Sequence, residues 1–258
     1  MFSSKVIIIL SLMSTASAVF QPFFDPLLND YGDYNSLPSQ PEPKSLRLGD
    51  PVCRDETTGE PLDWFTLYKL PKSTQILETS RVSNPFIYEG TAYTYMTNLA
   101  QSEWSMSSLS MNDTNSFAGK TLDILYKTSF NITRTNQTGD NKLGYILYND
   151  QADRVSLTRG HTKGVIIFNE NAAIWVVHSI PHFPPKPSDS DYQIHSSQCV
   201  YGQQFFCMSI QPTELEKIGQ QLLYTFPQVY DSYIPEFAKE APHFKNLLKS
   251  VELLKALL

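Results

Sequence analysis

The sequence RGHTKGVIIF at residues 159–168 continues through the polar triplet NEN at 169–171 into AIWVV at 173–177. Two apolar runs rich in β-branched and aromatic residues, joined by turn-forming residues, predict a β-hairpin. Because nearly every residue of the runs 164–168 and 173–177 is apolar, we expect both strands to be covered on both faces. The hairpin is therefore expected to lie inside a larger, buried sheet.

Other segments predict how that sheet is completed. Short runs of β-forming residues occur at 64–70, 92–96 and 144–148. Thr213 and Glu216 have the spacing of a helix capping box. The apolar residues around them recur at helical spacing, namely Leu215, Ile218, Leu222 and Leu223. A second apolar stripe runs from 244 to 257. Strands flanked by helices predict an α/β or α+β fold built on a mixed β-sheet.

A His-x-Lys triplet, His161 to Lys163, stands at the start of the hairpin between Gly160 and Gly164. Side chains two apart on a strand project to the same face, so we expect the imidazole and the ammonium to lie side by side. Such a pair suits attack on a phosphodiester, since one group can bond to phosphorus while the other holds the charged oxygens. The glycines are expected to leave room for a phosphate to approach the backbone. The alternative interpretation is an exposed pair at a strand start with no chemical role.

The N-terminal segment predicts a secretory signal peptide. Lys5 precedes an apolar run at 6–13, and Ala16-Ser17-Ala18 supplies a small-residue cleavage site. The run is too short to span a membrane, and no membrane association is expected. The following segment is polar and Pro-rich, which predicts an extended, disordered lead-in. The expected organisation is a leader at 1–18, a lead-in at 19–48 and one domain at 49–258, secreted or delivered to a lysosomal lumen.

Three Asn-x-Thr triplets agree with that route and predict exposed, glycosylated asparagines at Asn112, Asn131 and Asn136. The cysteines Cys53, Cys199 and Cys207 permit one disulfide and one leftover thiol in an oxidising compartment. From spacing alone, Cys199 could pair with Cys207, or Cys53 could pair with either. No metal site is predicted, since there is no Cys-x-x-Cys spacing and the five histidines lack a ligand pattern.

The net charge of the chain does not indicate which class of substrate it binds. The net charge is −6 and the isoelectric point is about 5.4, whereas nucleic-acid binders are more often basic. Histidines gain charge in an acidic lumen, so an acidic sequence does not exclude a nucleic-acid substrate there. Outside the triplet, His178 and His182 are expected to be hydrogen-bonded structural residues, and His195 a loop residue.

Several ordered blocks together resemble the deoxyribonuclease II family of the phospholipase D-like superfamily. They are DWF at 63–65 with YKLP at 68–71, LYNDQ at 147–151, RGHTKGV at 159–165, WVVHS at 175–179 with FPP at 183–185, CVYGQ at 199–203, and QLLYT at 221–225 with Pro227. The resemblance runs from about Cys53 into the 240s. It implies a phospholipase D-like lobe, and it covers only the N-terminal one of the family's two lobes.

The resemblance implies an endonuclease that acts on DNA at acid pH without metal or cofactor and leaves 3′-phosphate ends. One histidine of a His-x-Lys motif attacks phosphorus, a histidine of a second motif protonates the leaving oxygen, and the lysines hold the non-bridging oxygens. Carried onto this chain, His161 is the catalytic histidine and Lys163 its phosphate-binding partner. By the same resemblance Cys53 pairs with Cys199, and Cys207 is left free.

The chain departs from the family in having one such motif where the family has two. Its other His-x-Lys triplet, His243 to Lys245, falls on the C-terminal apolar stripe, where residues two apart point about 200° apart around a helix. We do not expect it to be catalytic. An active chain would then need a homodimer that brings two copies of His161 together. The alternative is an inactive secreted binding protein of the family, or a truncated product that lacks the second motif.

Overall fold

The computed structural model describes residues 45–47, 49–73, 84–99, 103–127, 143–152, 158–238, 242–243 and 246. The predicted leader and almost all of the lead-in lie outside these residues. So do Asn131, Asn136 and the apolar positions of the stripe at 244–257. The predictions made for those segments stay predictions.

A large antiparallel sheet forms the centre of the described domain. The strands are β1 Cys53–Arg54, β2 Pro61–Leu62, β3 Trp64–Lys69, β4 Tyr93–Thr97, β5 Ser105–Met106, β6 Gly144–Asn149, β7 Lys163–Phe168, β8 Ala173–His178, β9 Gln203–Ile210 and β10 Val229–Tyr233. Strands β1 and β2 pair with each other, and the rest form one sheet in the order β10-β6-β7-β8-β9-β3-β4-β5. The predicted hairpin is confirmed as β7 and β8, in which Gly164 pairs with Val177.

Helices complete an α+β fold, which confirms the predicted class. They are α1 Phe86–Glu89, α2 Phe117–Tyr126 and α3 Leu215–Thr225, with short 3₁₀ turns at Ser196–Gln198, Pro212–Glu214 and Glu236–Ala238. Among the described residues, no helix is long and apolar enough to cross a bilayer. In one detail the sheet differs from expectation, because every described strand pair is antiparallel where a mixed sheet was expected. Several neighbouring strands also follow one another in the chain, and the connections 169–172 between β7 and β8 and 98–104 between β4 and β5 are short, which favours antiparallel pairing there.

The helix α3 is confirmed, but the predicted capping box is not formed. Thr213 lies in the preceding 3₁₀ turn, and α3 begins after Glu214 without a side-chain cap. The Glu216 carboxylate instead accepts a hydrogen bond from the backbone N–H of His243, 3.1 Å away. In α2, by contrast, the Ser116 hydroxyl accepts from the Gly119 N–H at 3.0 Å and so caps the helix.

The two faces of the sheet are covered to different extents. One face packs on α2 and on the segment 180–194 in a continuous apolar cluster. The other face packs on α3 through Leu215, Ile218 and Leu222, which meet apolar side chains of β6 and β7. Strand β7 is buried along its whole length, as expected. The same expectation is wrong for β8 at Val177, which is 36% exposed because the helix covers mainly the neighbouring strands.

The structure joins Cys53 to Cys207, so the implied Cys53–Cys199 pairing is wrong. Cys53 lies beside Leu62, near the start of β3, and Cys207 pairs across to Phe65. The Cys199 carbonyl instead contacts the Lys69 ammonium at the far end of β3. Six extended residues separate these ends by about 17 Å, whereas bridged cysteines need Cα atoms within about 7 Å. The Cα atoms of Cys53 and Cys207 are 6.0 Å apart.

Peptide mapping tests this pairing directly. Digestion without reductant should release a peptide pair joined through Cys53 and Cys207. Cys199 is a buried free thiol, so alkylation should label it only after the chain is unfolded. Removing the bridge with Cys207→Ser should lower the free energy of unfolding by about 2–5 kcal/mol, whereas Cys199→Ser should have a smaller effect. A cross-linked peptide that contains Cys199 would refute the assignment.

Candidate active site

The His-x-Lys pair meets one carboxylate at an edge of the sheet. The Asp150 Oδ2 atom lies 2.7 Å from His161 Nδ1, and Asp150 Oδ1 accepts a hydrogen bond from Lys163 Nζ at 2.5 Å. Asp150 and Lys163 are buried, with 6% and 3% of their side chains exposed, whereas the His161 side chain is 79% exposed. The arrangement therefore places an accessible imidazole over a buried ion pair.

The sheet register brings these three residues together. Asn149, the last residue of β6, pairs with Lys163, the first residue of β7, and Asp150 follows β6 directly. Antiparallel neighbours bring the end of one strand beside the start of the next. His161 lies just before β7 rather than within it, so the strand starts one residue earlier than the predicted 164. The expectation that the imidazole and ammonium lie side by side is confirmed, since both contact the same carboxylate.

The neighbouring groups determine the ionisation of the Asp150 carboxylate and the tautomer of the His161 imidazole. Burial alone raises the pKa of the Asp150 carboxyl, but hydrogen bonds and positive charge from Lys163 and His161 outweigh burial and hold it below its usual value. An ionised carboxylate at His161 Nδ1 assigns a proton to that nitrogen, so the lone pair of the neutral ring lies on Nε2. The pairing therefore orients the imidazole as a nucleophile or a base.

The loop that carries His161 is held by the end of α3. The Gly160 N–H donates to the Phe226 carbonyl at 3.1 Å, and the Thr162 N–H donates to the Gly160 carbonyl at 2.8 Å. The Arg159 guanidinium lies 4.0 Å from the centre of the Phe226 ring. These contacts fix the backbone on both sides of His161.

The two glycines have a different role from the predicted one. A Cβ atom at Gly160 would overlap the carbonyl oxygen of Thr225. One at Gly164 would overlap the Tyr148 hydroxyl and the carbonyl oxygen of Val176. The space beside both glycines is therefore filled by the protein itself, so the expectation that it admits a phosphate is wrong. Glycine is needed here for the close approach of neighbouring strands and of α3.

Gly164→Ala should lower the free energy of unfolding by about 3 kcal/mol, because the overlapped Val176 carbonyl belongs to the neighbouring strand and has little room to move. Gly59→Ala is a suitable control. Gly59 has φ +74° and nothing near its Cβ position, so that change should cost only about 1 kcal/mol of backbone strain. Chemical denaturation of both variants measures whether Gly164→Ala loses more free energy of unfolding than Gly59→Ala. Equal losses at the two sites would contradict the packing role of Gly164.

His178 lies at the end of β8 as the neighbour of Lys163 across the hairpin. Its Nδ1 atom accepts a hydrogen bond from the Ile180 N–H at 3.2 Å, and its ring packs against Phe183 and Phe205. Burial, with the charge of Lys163, lowers the pKa of His178 to about 3, so the ring is neutral. The expected hydrogen bond of His178 is therefore found at Nδ1. Its other ring nitrogen, Nε2, has no partner among the described residues.

The remaining candidates lie apart from this carboxylate. His243 contacts Glu216 in the first turn of α3, whereas the loop of His161 contacts the last turn, about 14 Å along the helix. His195 is an exposed loop residue bonded to Ser197, as expected. Asn112 is exposed, and its Oδ1 atom accepts from the Ile194 N–H at 2.6 Å, so Nδ2 is the atom left for a glycan. Within the described part of the chain, no group of three His, Cys, Asp or Glu residues could hold a metal ion.

Sequence reasoning missed Asp150. It stands inside the block LYNDQ at 147–151, which contributed to the family resemblance, but no chemical role was predicted for it. The available signal was an acidic residue directly after an apolar strand, since strand ends often carry functional side chains. Only the pairing of β6 with β7 shows that this acid faces the His-x-Lys triplet.

Comparison with known proteins identifies the family of the chain. The family described as Deoxyribonuclease II matches residues 52–256. Bovine (Bos taurus) deoxyribonuclease-2-alpha is 32% identical over 208 residues, which are 78% of this chain and 52% of that protein. Human (Homo sapiens) deoxyribonuclease-2-beta is 36% identical over 76% of the chain and 50% of its own length. Plancitoxin-1 from Acanthaster planci is 34% identical over 78% and 52%. The chain thus spans about half the length of these relatives, and it belongs to the deoxyribonuclease II family.

Proposed function

We propose that this chain is an acid endonuclease that hydrolyses DNA phosphodiester bonds without a metal ion, through His161 and Lys163. The observation that carries the proposal is the Asp150 carboxylate, which contacts both residues and fixes the exposed imidazole. Family membership supports the reaction class, since the relatives are named deoxyribonucleases. The Asp150–His161 contact has the form of the acid–imidazole pairs that orient nucleophilic or basic histidines in other hydrolases.

In the proposed reaction, His161 Nε2 attacks phosphorus and forms a P–N bond while the bond from phosphorus to the 5′ oxygen breaks. The leaving oxygen takes a proton from a second acid. Water then attacks the phosphohistidine, breaks the P–N bond, and releases a 3′-phosphate end and free His161. Asp150 stabilises the positive charge that the imidazole carries while it is phosphorylated. The Lys163 ammonium, beside the same carboxylate, would favour the negative charge on the non-bridging oxygens.

One imidazole cannot be both the nucleophile and the leaving-group acid in the same step. We propose that the second histidine is His161 of a second copy, brought across the scissile bond in a twofold homodimer. The alternative is an inactive secreted family member that binds DNA or another partner. The alternative is favoured because the described residues contain one carboxylate-bound His-Lys pair, whereas the mechanism needs two histidines.

A plasmid assay tests the activity. The purified glycoprotein should nick supercoiled DNA at about pH 5 with a chelator present, the range in which imidazoles carry charge. The new 5′ ends should accept a kinase-added phosphate without prior phosphatase treatment, because the proposed cleavage leaves the phosphate on the 3′ side. Light scattering on the same sample should show a dimer. A monomer without nicking would support the inactive alternative, and nicking that the chelator abolishes would refute the metal-free mechanism.

We also propose that the protein acts in the secretory route, either outside the cell or in a lysosome, as a glycoprotein. The leader at 1–18 and the three Asn-x-Thr triplets support this location. The lowered pKa of Asp150 suits an acidic lumen, because its carboxylate stays charged at lower pH than an ordinary aspartate does.

A further inference from the structure

We propose that the imidazole of His182 is a second phosphate-binding position of this site, which holds a DNA backbone phosphate beside the one that is cleaved. The inference deepens the proposed nuclease function and rests on it. The first observation is the unusual backbone conformation of His182. His182 has φ +53°, and among the described residues only Phe226 is another non-glycine with a positive φ.

A buried side chain holds this outlier at the edge of the active site. The Asn149 amide donates to the carbonyls of Ile180 and Phe183, 3.0 Å each, and so fixes the turn on both sides of His182. The Asn149 Oδ1 atom accepts from the Gln151 N–H at 2.9 Å, and the Gln151 carbonyl accepts from the His182 N–H, also at 2.9 Å. The turn is therefore bonded to the residues on either side of Asp150.

The backbone conformation alone does not require histidine. A positive φ costs a residue with a Cβ atom about 1–2 kcal/mol, and glycine would fit with less strain, although histidine is among the side chains found there more often than most. The His182 side chain is exposed, and its ring makes no hydrogen bond or ion pair with another described residue. Packing therefore gives no reason for an imidazole here. Strained residues of this kind cluster at functional sites, where the surrounding structure maintains them.

The chemistry of the neighbourhood identifies the ligand class. Gln151, which bonds to His182, is the next residue after Asp150, and Asp150 contacts His161. The exposed His182 is thus linked to His161 through Gln151 and Asp150, and the proposal has a DNA strand bound at His161 continue past it. An imidazole can donate hydrogen bonds to phosphate oxygens, and in its protonated form it also supplies positive charge. A backbone phosphate next to the scissile one is thus the ligand that fits, and it carries no base preference.

The test compares His182→Asn and His182→Gly with His195→Asn, a matched exposed histidine at φ −60°. Binding of a short fluorescent DNA duplex is measured by anisotropy at about pH 5, over a series of salt concentrations, in the His161→Ala background so that the duplex stays intact. Both His182 variants should raise the dissociation constant about five- to tenfold, and each should reduce the slope of log affinity against log salt by about 1. His195→Asn should change neither quantity.

Thermal unfolding separates the proposed role from a structural one. The His182→Asn and His182→Gly midpoints should equal or exceed that of the unchanged chain, because both residues tolerate the left-handed conformation. A lowered midpoint, or an unchanged affinity and salt slope, would overturn the inference. If the unchanged chain binds DNA through His182 but does not nick it, the proposed nuclease activity is refuted and the phosphate-binding role of His182 stands. A chain that does not bind the duplex would overturn both.

Discussion

His161→Ala should reduce the rate of DNA nicking by at least about three orders of magnitude, because it removes the group proposed to bond to phosphorus. The fold should be unaffected. The imidazole is 79% exposed, and its described side-chain contact is the hydrogen bond to Asp150. Unfolding midpoints and initial rates of plasmid nicking, measured on the same preparations, check both parts of the expectation.

A matched control and a trapped intermediate make this test specific. His195→Ala removes another exposed loop histidine, whose bonds are to Ser197, and it should nick at the unchanged rate. Rapid quenching under alkaline conditions should trap end-labelled DNA covalently on the unchanged protein but not on His161→Ala. Chelator-resistant nicking that survives in His161→Ala would remove His161 from the mechanism.

The hairpin could be predicted because its strands are apolar on both sides. The central strand β9 was not predicted, and its burial pattern shows why. Phe205 and Cys207 are buried on the face covered by α2, whereas Phe206 and Met208 lie partly exposed on the opposite face. The strand shows no clean alternation, and its apolar run at 205–208 has only four residues, a length at which periodicity does not distinguish a strand from a buried helix. Only the strand order shows that β9 joins the hairpin to β3.

The candidate active site could be predicted in part for a similar reason. His161 and Lys163 are close in sequence, so a local pattern identifies them. Asp150 reaches them only through strand pairing, and Cys53 reaches Cys207 across a sequence separation of 154. Such contacts depend on register and strand order, which a single sequence does not encode in any short pattern.

Asp150→Ala should lower both stability and activity, because Asp150 neutralises a buried lysine and contacts the imidazole that we propose to be catalytic. Lys163 would lose its carboxylate partner in a site where its side chain is 3% exposed. Removing one partner of a buried ion pair typically costs about 3–5 kcal/mol. Loss of the orienting carboxylate should slow nicking by about 10³- to 10⁴-fold. Chemical denaturation and nicking rates measure the two effects.

The double variant Asp150→Ala with Lys163→Met separates the two roles. Without the carboxylate and without the ammonium, no unpaired charge remains buried, so most of the lost stability should return. The two changes should therefore be strongly non-additive, with a coupling energy of about 2 kcal/mol or more. Nicking should not return, since the imidazole has lost its partner. A double variant as unstable as Asp150→Ala would show that the cavity, rather than the unpaired charge, caused the loss.

The pH dependence of this stability has a definite sign. The pKa of Asp150 is lower in the folded chain than its usual value of 3.8, so the folded state favours the ionised form. The contribution of the pair is therefore fully present above about pH 4 and is lost as the pH falls through the folded-state pKa. The stability difference between the unchanged chain and Asp150→Ala should shrink as the pH falls below about 4. A difference that instead grew as the pH fell below about 4 would mean that the folded chain favours the protonated acid. Asp150 could then not hold His161 and Lys163 in an acidic compartment.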